Sequence, residues 1–130
     1  MSEYHGSFAS CLGCKDGRTI DPIQDWAQKT YGVSYVDFDT EPGMDSYLNS
    51  CSEEDKDKLK KKVLISVEKH HARYVLVAGH ADCAGNPVSD EEHKKNIADA
   101  VNIVRTWNMP EGISVTGLWV NPQWQVEEIL

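Results

Sequence analysis

Apolar residues recur along the chain with two different periods, and these periods predict alternating strands and helices. Short runs rich in β-branched residues, such as "YVLVAG" at 74–79, are typical of buried strands. Longer segments with apolar residues three or four positions apart are typical of amphipathic helices. The predicted order is strand 6–12, helix 22–31, strand 34–39, helix 53–71, strand 74–79, helix 89–107, strand 113–120 and a short β segment within 123–130.

Local signals mark the ends of the predicted helices. Asp21 precedes Pro22, which is favoured at the first helical position, so Asp21 is the expected N-cap. Gly32 is expected to end this helix. Ser89 and Glu92 have the spacing of a capping box at the start of the last helix. The β-α-β-α-β-α-β order predicts an α/β fold, with a parallel β-sheet core and helices on both faces.

Length and charge narrow the classes of function. The 130 residues fit a single domain covering 1–130. The net charge of −8 disfavours nucleic acid and anionic membrane surfaces as partners, because both would repel the protein. The first ten residues lack the pattern of a signal peptide, and no apolar run is long enough to span a bilayer. We therefore expect a cytoplasmic protein, in which four cysteines indicate metal binding or redox chemistry.

Two short segments carry residues suited to a metal site. "CLGCKDGR" begins at the end of the first predicted strand, and "HADC" comes directly after the strand at 74–79. Functional groups gather at the carboxyl ends of parallel strands, so neighbouring strands would bring Cys14, His80 and Cys83 together. Two thiolates and an imidazole suit zinc, and they leave one position of its tetrahedral shell for water or a carboxylate.

The Cys-x-x-Cys formed by Cys11 and Cys14 suggests a different chemistry, that of a redox dithiol. Strand geometry argues against it, because Cys11 shares a face with the residue two positions further on. No predicted helix begins directly after Cys14 to lower a thiol pKa. We interpret Cys11 as a small apolar strand residue, whereas Cys51 lies outside any motif.

Several other polar and aromatic residues are predicted to have structural positions. Asp82 is expected in a solvated turn, and a contact with residues beside the metal site is the alternative. The polar helical stretches around His70, His71 and His93 predict that these histidines are exposed. Core or interface positions are expected for the four tryptophans, which are Trp26, Trp107, Trp119 and Trp124.

The two segments together resemble the signature of the β-class carbonic anhydrases. That signature is Cys-x-Asp-x-Arg after the first strand and His-x-x-Cys after a later one. Here it reads Cys14-Lys-Asp16-Gly-Arg18 and His80-Ala-Asp-Cys83. The apolar strand ending in Gly-His and the closing "VTGLWVNPQWQVEEI" are also similar to the family, so the resemblance covers most of the chain.

The resemblance implies a set of roles. Cys14, His80 and Cys83 would be zinc ligands, with Asp16 and Arg18 as the catalytic pair beside the metal and Asp16 as an alternative fourth ligand. The implied activity is reversible hydration of CO2 to bicarbonate by a zinc-bound hydroxide, in a homodimer or higher homo-oligomer. Two alternatives stay open: a non-catalytic zinc-binding relative, and a hydrolase of CO2-like substrates such as carbonyl sulfide or carbon disulfide.

The chain departs from the family pattern at two positions near these motifs. Gly17 stands where the family commonly has serine or alanine, and we expect it to loosen the backbone between Asp16 and Arg18. Cys83 is followed by Ala84 before Gly85, so the turn after this residue is expected to differ. The chain is also shorter than typical members of the family.

Overall fold

Four parallel strands form most of a five-stranded sheet in the computed structural model, which describes residues 6–130. The spatial order is β2-β1-β3-β4-β5, so the strongly apolar β3 is central, as its sequence predicts. The last strand runs antiparallel to β4, and the sheet is therefore mixed. The strands are β1 (Phe8–Cys14), β2 (Tyr35–Glu41), β3 (Tyr74–His80), β4 (Ser114–Val120) and β5 (Val126–Glu128).

Helices cover both faces of the sheet, which confirms the predicted α/β architecture. One face packs against α1 alone, through Ile23 and Ala27. The other face packs against α2, α3 and α4, with buried side chains such as Val63 and Val101. Among residues 6–130, no helix combines the length and apolar character needed to cross a membrane. The helices are α1 (Ile20–Tyr31), α2 (Met44–Ser50), α3 (Glu53–Lys69) and α4 (Asp90–Arg105).

Three local predictions about these elements were wrong. β1 continues to Cys14, so this cysteine is the last strand residue. Asp21 lies within α1 and does not cap it, because a 3-10 turn over Gly17–Thr19 leads directly into Ile20. No helix was predicted between residues 39 and 53, yet Gly43 is the N-cap of the short helix α2.

The burial of two histidines also differs from the prediction. His93 is only 1% exposed, and its Nδ1 lies 2.7 Å from a carboxylate oxygen of Asp45. His70 is half-buried, and its Nδ1 lies 2.6 Å from Asp37. His71 is exposed, as predicted. Both corrected histidines have acidic partners that are distant in sequence, which helical periodicity alone does not reveal.

The backbone at Gly17 has room for a side chain, in agreement with the serine or alanine that the family commonly has there. Its φ lies outside the left-handed region, and a Cβ added there meets nothing within 4 Å. We predict that Gly17→Ala raises the free energy of unfolding by roughly 0.4–1 kcal/mol, because alanine restricts the unfolded chain. Urea unfolding measures this change.

Gly43 supplies the matched control. Its φ is +59°, and an added Cβ would lie 2.6 Å from the Gly85 carbonyl oxygen. Gly43→Ala should therefore destabilise the protein by more than about 1 kcal/mol in the same experiment. A destabilised Gly17→Ala variant would contradict the prediction.

Candidate metal centre

Cys14 and His80 end two neighbouring parallel strands, β1 and β3. Cys83 follows in the turn directly after β3, so three candidate ligands meet at the carboxyl edge of the sheet. All three side chains are buried, and one potential ligand atom from each lies within 4.8 Å of the others. The two sulfur atoms are 3.8 Å apart. The structure thus brings together the three residues that the sequence singled out.

The His80 imidazole is held with one nitrogen directed away from the backbone. Its Nδ1 lies 2.6 Å from the carbonyl oxygen of Ala81, which can only accept, so Nδ1 carries the proton. The other nitrogen, Nε2, is buried and has no hydrogen-bond partner among the described residues. Buried polar atoms are normally paired. A neutral imidazole held in this way offers the Nε2 lone pair to a cation.

The environment of the two sulfur atoms favours one thiolate and opposes a second. Burial disfavours ionisation of Cys14, but nearby hydrogen-bond donors, among them the N–H groups of Asp16 and Gly43, outweigh it and lower the pKa of Cys14 to about 7. Burial and the nearby charge of Cys14 raise the pKa of Cys83 to about 11. A cation shared by the two sulfurs would remove that repulsion, so this donor set fits a metal such as zinc.

Asp16 and Arg18 form a tight ion pair beside these three residues. Arg18 Nη2 lies 2.6 Å from Asp16 Oδ2, and Arg18 Nε lies 3.1 Å from each carboxylate oxygen. The backbone N–H of Arg18 also donates to Asp16 Oδ1. These hydrogen bonds to Arg18 lower the pKa of Asp16 to about 2. Asp16 Oδ2 is 3.9 Å from His80 Nε2, so the ionised carboxylate borders the candidate ligands.

Arg18 has two further partners, Trp124 and Asp82. Its guanidinium lies over the Trp124 ring, with Cζ 4.7 Å from the ring centroid. The guanidinium also contacts Asp82: Nη1 lies 3.3 Å from Oδ2, and Nη2 lies 3.2 Å from the carbonyl oxygen. Asp82 is an exposed turn residue, as predicted, and both it and Trp124 have positive φ. Such backbone geometry in non-glycine residues is concentrated at functional sites.

The Cys-x-x-Cys pair is separated by the pleat of β1. Cys11 and Cys14 are three positions apart in the strand and point to opposite faces. Cys11 packs in the core under α1, where burial raises its thiol pKa. Cys51 is half-buried at the end of α2 and does not belong to the three-residue cluster.

Comparisons with known proteins agree with this geometry. The sequence matches the family described as "Putative carbonic anhydrase" over residues 4–130, and a comparison with curated proteins finds no match. The solved β-carbonic anhydrase isoform I of Trichomonas vaginalis superposes with a TM-score of 0.66 at 15% identity, covering 100% of this chain and 87% of that one.

Two further solved structures share the fold at low identity. A tetrameric β-carbonic anhydrase of Sordaria macrospora has a TM-score of 0.60 at 13% identity, covering 96% of this chain and 82% of that one. A carbon disulfide hydrolase in its apo form has a TM-score of 0.52 at 10% identity, with 93% and 77% covered. Since the family match extends over nearly the whole sequence, the chain belongs to the putative carbonic anhydrase family, and it has the β-carbonic anhydrase fold.

Proposed function

We propose that this protein is a zinc lyase that interconverts CO2 and bicarbonate, with Cys14, His80 and Cys83 as the zinc ligands. The observation that carries the proposal is the meeting of these three buried side chains within 4.8 Å, with the Nε2 of His80 left unpaired by the protein. Two sulfur atoms and an imidazole are characteristic zinc donors. The family match and the fold support the same activity.

The chemistry of the proposed reaction requires a strong nucleophile at neutral pH. Zinc held by these residues would supply it, since the metal lowers the pKa of water from 15.7 to about 7. Three protein ligands leave one tetrahedral position for this purpose. Asp16 borders the ligands closely enough to be the alternative fourth ligand.

Asp16 is the proposed catalytic residue among the protein's own groups. Its carboxylate stays ionised because Arg18 holds its pKa near 2, so it can accept a hydrogen bond but cannot donate one. By accepting the hydrogen of the attacking O–H group, Asp16 would turn the oxygen lone pair toward the carbon of CO2. Arg18 acts through Asp16, as a positioning residue.

The partners of Arg18 extend this positioning outward. Trp124 faces the guanidinium from one side, while Asp82 accepts hydrogen bonds from Nη1 and Nη2. Together with Asp16, Arg18 thus contacts three residues that come from three separate parts of the chain. This arrangement favours the Arg18-paired state of Asp16 over a state in which Asp16 itself binds the metal.

A CO2-like molecule is the second candidate substrate. The likeness to a carbon disulfide hydrolase favours testing it, because carbonyl sulfide and carbon disulfide present a similar electrophilic carbon. Assays with all three substrates on one zinc-loaded preparation separate these activities. Zinc-loaded protein without activity on any of them would indicate a non-catalytic zinc-binding protein.

Metal content tests the proposed ligand set. Purified protein should contain about one zinc per chain, and Cys83→Ala should lose most of it because one of three ligands is removed. Elemental analysis after dialysis measures the ratio. Cys51→Ala is the matched control, since Cys51 lies outside the cluster, and it should keep its zinc. Full zinc retention by Cys83→Ala would contradict the proposed ligand set.

The proposed role of Asp16 gives a prediction about catalysis. In stopped-flow CO2 hydration, Asp16→Asn should lose on the order of 100-fold in kcat/KM, because the amide can donate a hydrogen bond and misorient the nucleophile. Its zinc content should match the unchanged protein. Asp25→Asn, on the exposed surface of α1, should retain full activity. Unaltered hydration by zinc-loaded Asp16→Asn would remove Asp16 from the mechanism.

We further propose that the enzyme is a homodimer or a higher homo-oligomer. The edge strand β2 leaves Tyr35 half exposed, and the neighbour from Sordaria macrospora is described as tetrameric. Light scattering should give a mass of at least twice the 14.6 kDa of one chain. A mass of one chain at micromolar concentration would contradict this assignment.

A further inference from the structure

A carboxylate with no part in the proposed mechanism is buried beside the metal centre. Asp45, in the first turn of α2, is 1% exposed. Its Oδ2 accepts from Nδ1–H of His93 at 2.7 Å. Its Oδ1 accepts from the Asn86 side chain at 3.2 Å and from the Ser46 backbone N–H at 3.0 Å. Burying a carboxylate is unfavourable unless it is fully hydrogen-bonded, and these three donors meet that requirement.

The surrounding residues hold this carboxylate in one place. Gly79, the residue before His80, leaves the space: a Cβ there would lie 2.7 Å from Asp45 Oδ2. His93 is itself 1% exposed and lies against Trp119, with ring centroids 5.3 Å apart. Since His93 Nε2 has no partner among the described residues, the contact with Asp45 is the hydrogen bond that orients this ring. The cluster is therefore rigidly placed between α2, α4 and β3.

Asp45 is connected to Cys14 through the start of α2. Gly43 caps α2 two residues before Asp45, and its backbone N–H donates to the Cys14 sulfur at 3.4 Å. The direction of that N–H depends on where α2 begins. Anchoring Asp45 fixes the first turn of α2, so it also fixes the donor that faces the Cys14 thiolate.

Asp45 is connected to Cys83 through Asn86. Asn86 donates its side-chain amide to Asp45, while its backbone N–H reaches the Cys83 carbonyl oxygen at 3.3 Å. Gly43 and Gly85 are packed backbone to backbone, with no room for a side chain on either. The turn that carries Cys83 is thus attached to the same carboxylate as the helix cap beside Cys14.

We propose that Asp45 is a positioning residue that sets the arrangement of the two thiolates for the metal, with Asn86 and His93 as its partners. One carboxylate joins the hydrogen-bond donor of Cys14 to the turn of Cys83, and therefore controls both sulfur ligands at once. The inference rests on the proposed metal site and is independent of CO2 as the substrate.

Metal affinity tests this role without measuring catalysis. Competition with a chromophoric chelator should show that Asp45→Ala binds zinc 10- to 100-fold more weakly, the usual effect of losing a residue that supports metal ligands. Asp45→Asn keeps an oxygen that accepts from Ser46 and Asn86. Its zinc affinity should therefore lie between that of the unmodified protein and that of Asp45→Ala. The thiolate absorption bands of the Co²⁺-substituted protein should shift in Asp45→Ala and recover in Asp45→Asn.

Two additional variants separate positioning from general stability. Val104→Ala opens a cavity in the core at the far end of α4, and it should lower the melting temperature without changing zinc affinity. Asn86→Ala removes only the link to the Cys83 turn and keeps the Asp45–His93 contact, so it should weaken zinc binding several-fold even if Asp45→Ala does not fold. Unchanged zinc affinity in Asn86→Ala or in a folded Asp45→Ala would overturn the proposal.

Hydrogen exchange of the metal-free protein distinguishes this inference from the proposed function. Asn86→Ala should accelerate hydrogen exchange of the backbone amides at positions 43 and 86. In Val104→Ala, the exchange rates of these two amides should stay unchanged relative to the rate set by global unfolding. Purified protein that takes up no zinc would overturn both proposals. If zinc-loaded unmodified protein hydrates no CO2, the proposed activity fails while the metal site stands. The exchange rates then decide the inference alone: faster exchange supports it, and unchanged exchange contradicts it.

Discussion

The parallel pairing of β1 with β3 is the constraint on which the candidate site depends. It aligns Leu12 with Val77, and so it brings the ends of the two strands, Cys14 and His80, to the same edge of the sheet. A slip of one residue would turn every β1 side chain to the opposite face and move Cys14 away from Cys83. Buried apolar residues on both faces of β1 oppose such a slip, so the core itself fixes the geometry of the candidate site.

Residues that touch the candidate ligands also depend on one another. The carboxylate of Asp16 is held by Arg18, and Arg18 is held by Trp124 and Asp82. On the other side of the site, Asp45 holds the donors that surround both sulfurs. Charge explains why so many contacts are needed: two sulfurs and several carboxylates lie close together in a protein of net charge −8. Arg18 is the cationic side chain that offsets the carboxylates of Asp16 and Asp82.

Much of the fold and the three candidate ligands could be predicted from sequence because the signals are local. Periodicity predicted the strands and the longer helices, and Ser89 does cap α4 through the Glu92 N–H. Asp45 and His93 were missed because their contact joins residues 48 positions apart, and each alone resembles a surface residue. The antiparallel direction of β5 depends on a turn in which Asn121 accepts two backbone N–H groups, a feature that strand patterning does not encode.

The distance in sequence between the two candidate sulfur ligands has its own physical consequence. Cys14 and Cys83 are separated by 69 positions, more than half of the chain, although their sulfur atoms are 3.8 Å apart. When such distant segments are brought together, the chain between them loses conformational entropy, and this cost opposes folding. An ion bound by both sulfurs exists only in the folded chain, and it therefore shifts the folding equilibrium toward that state. Metal supply would then govern how much folded protein a cell keeps, before any substrate is turned over.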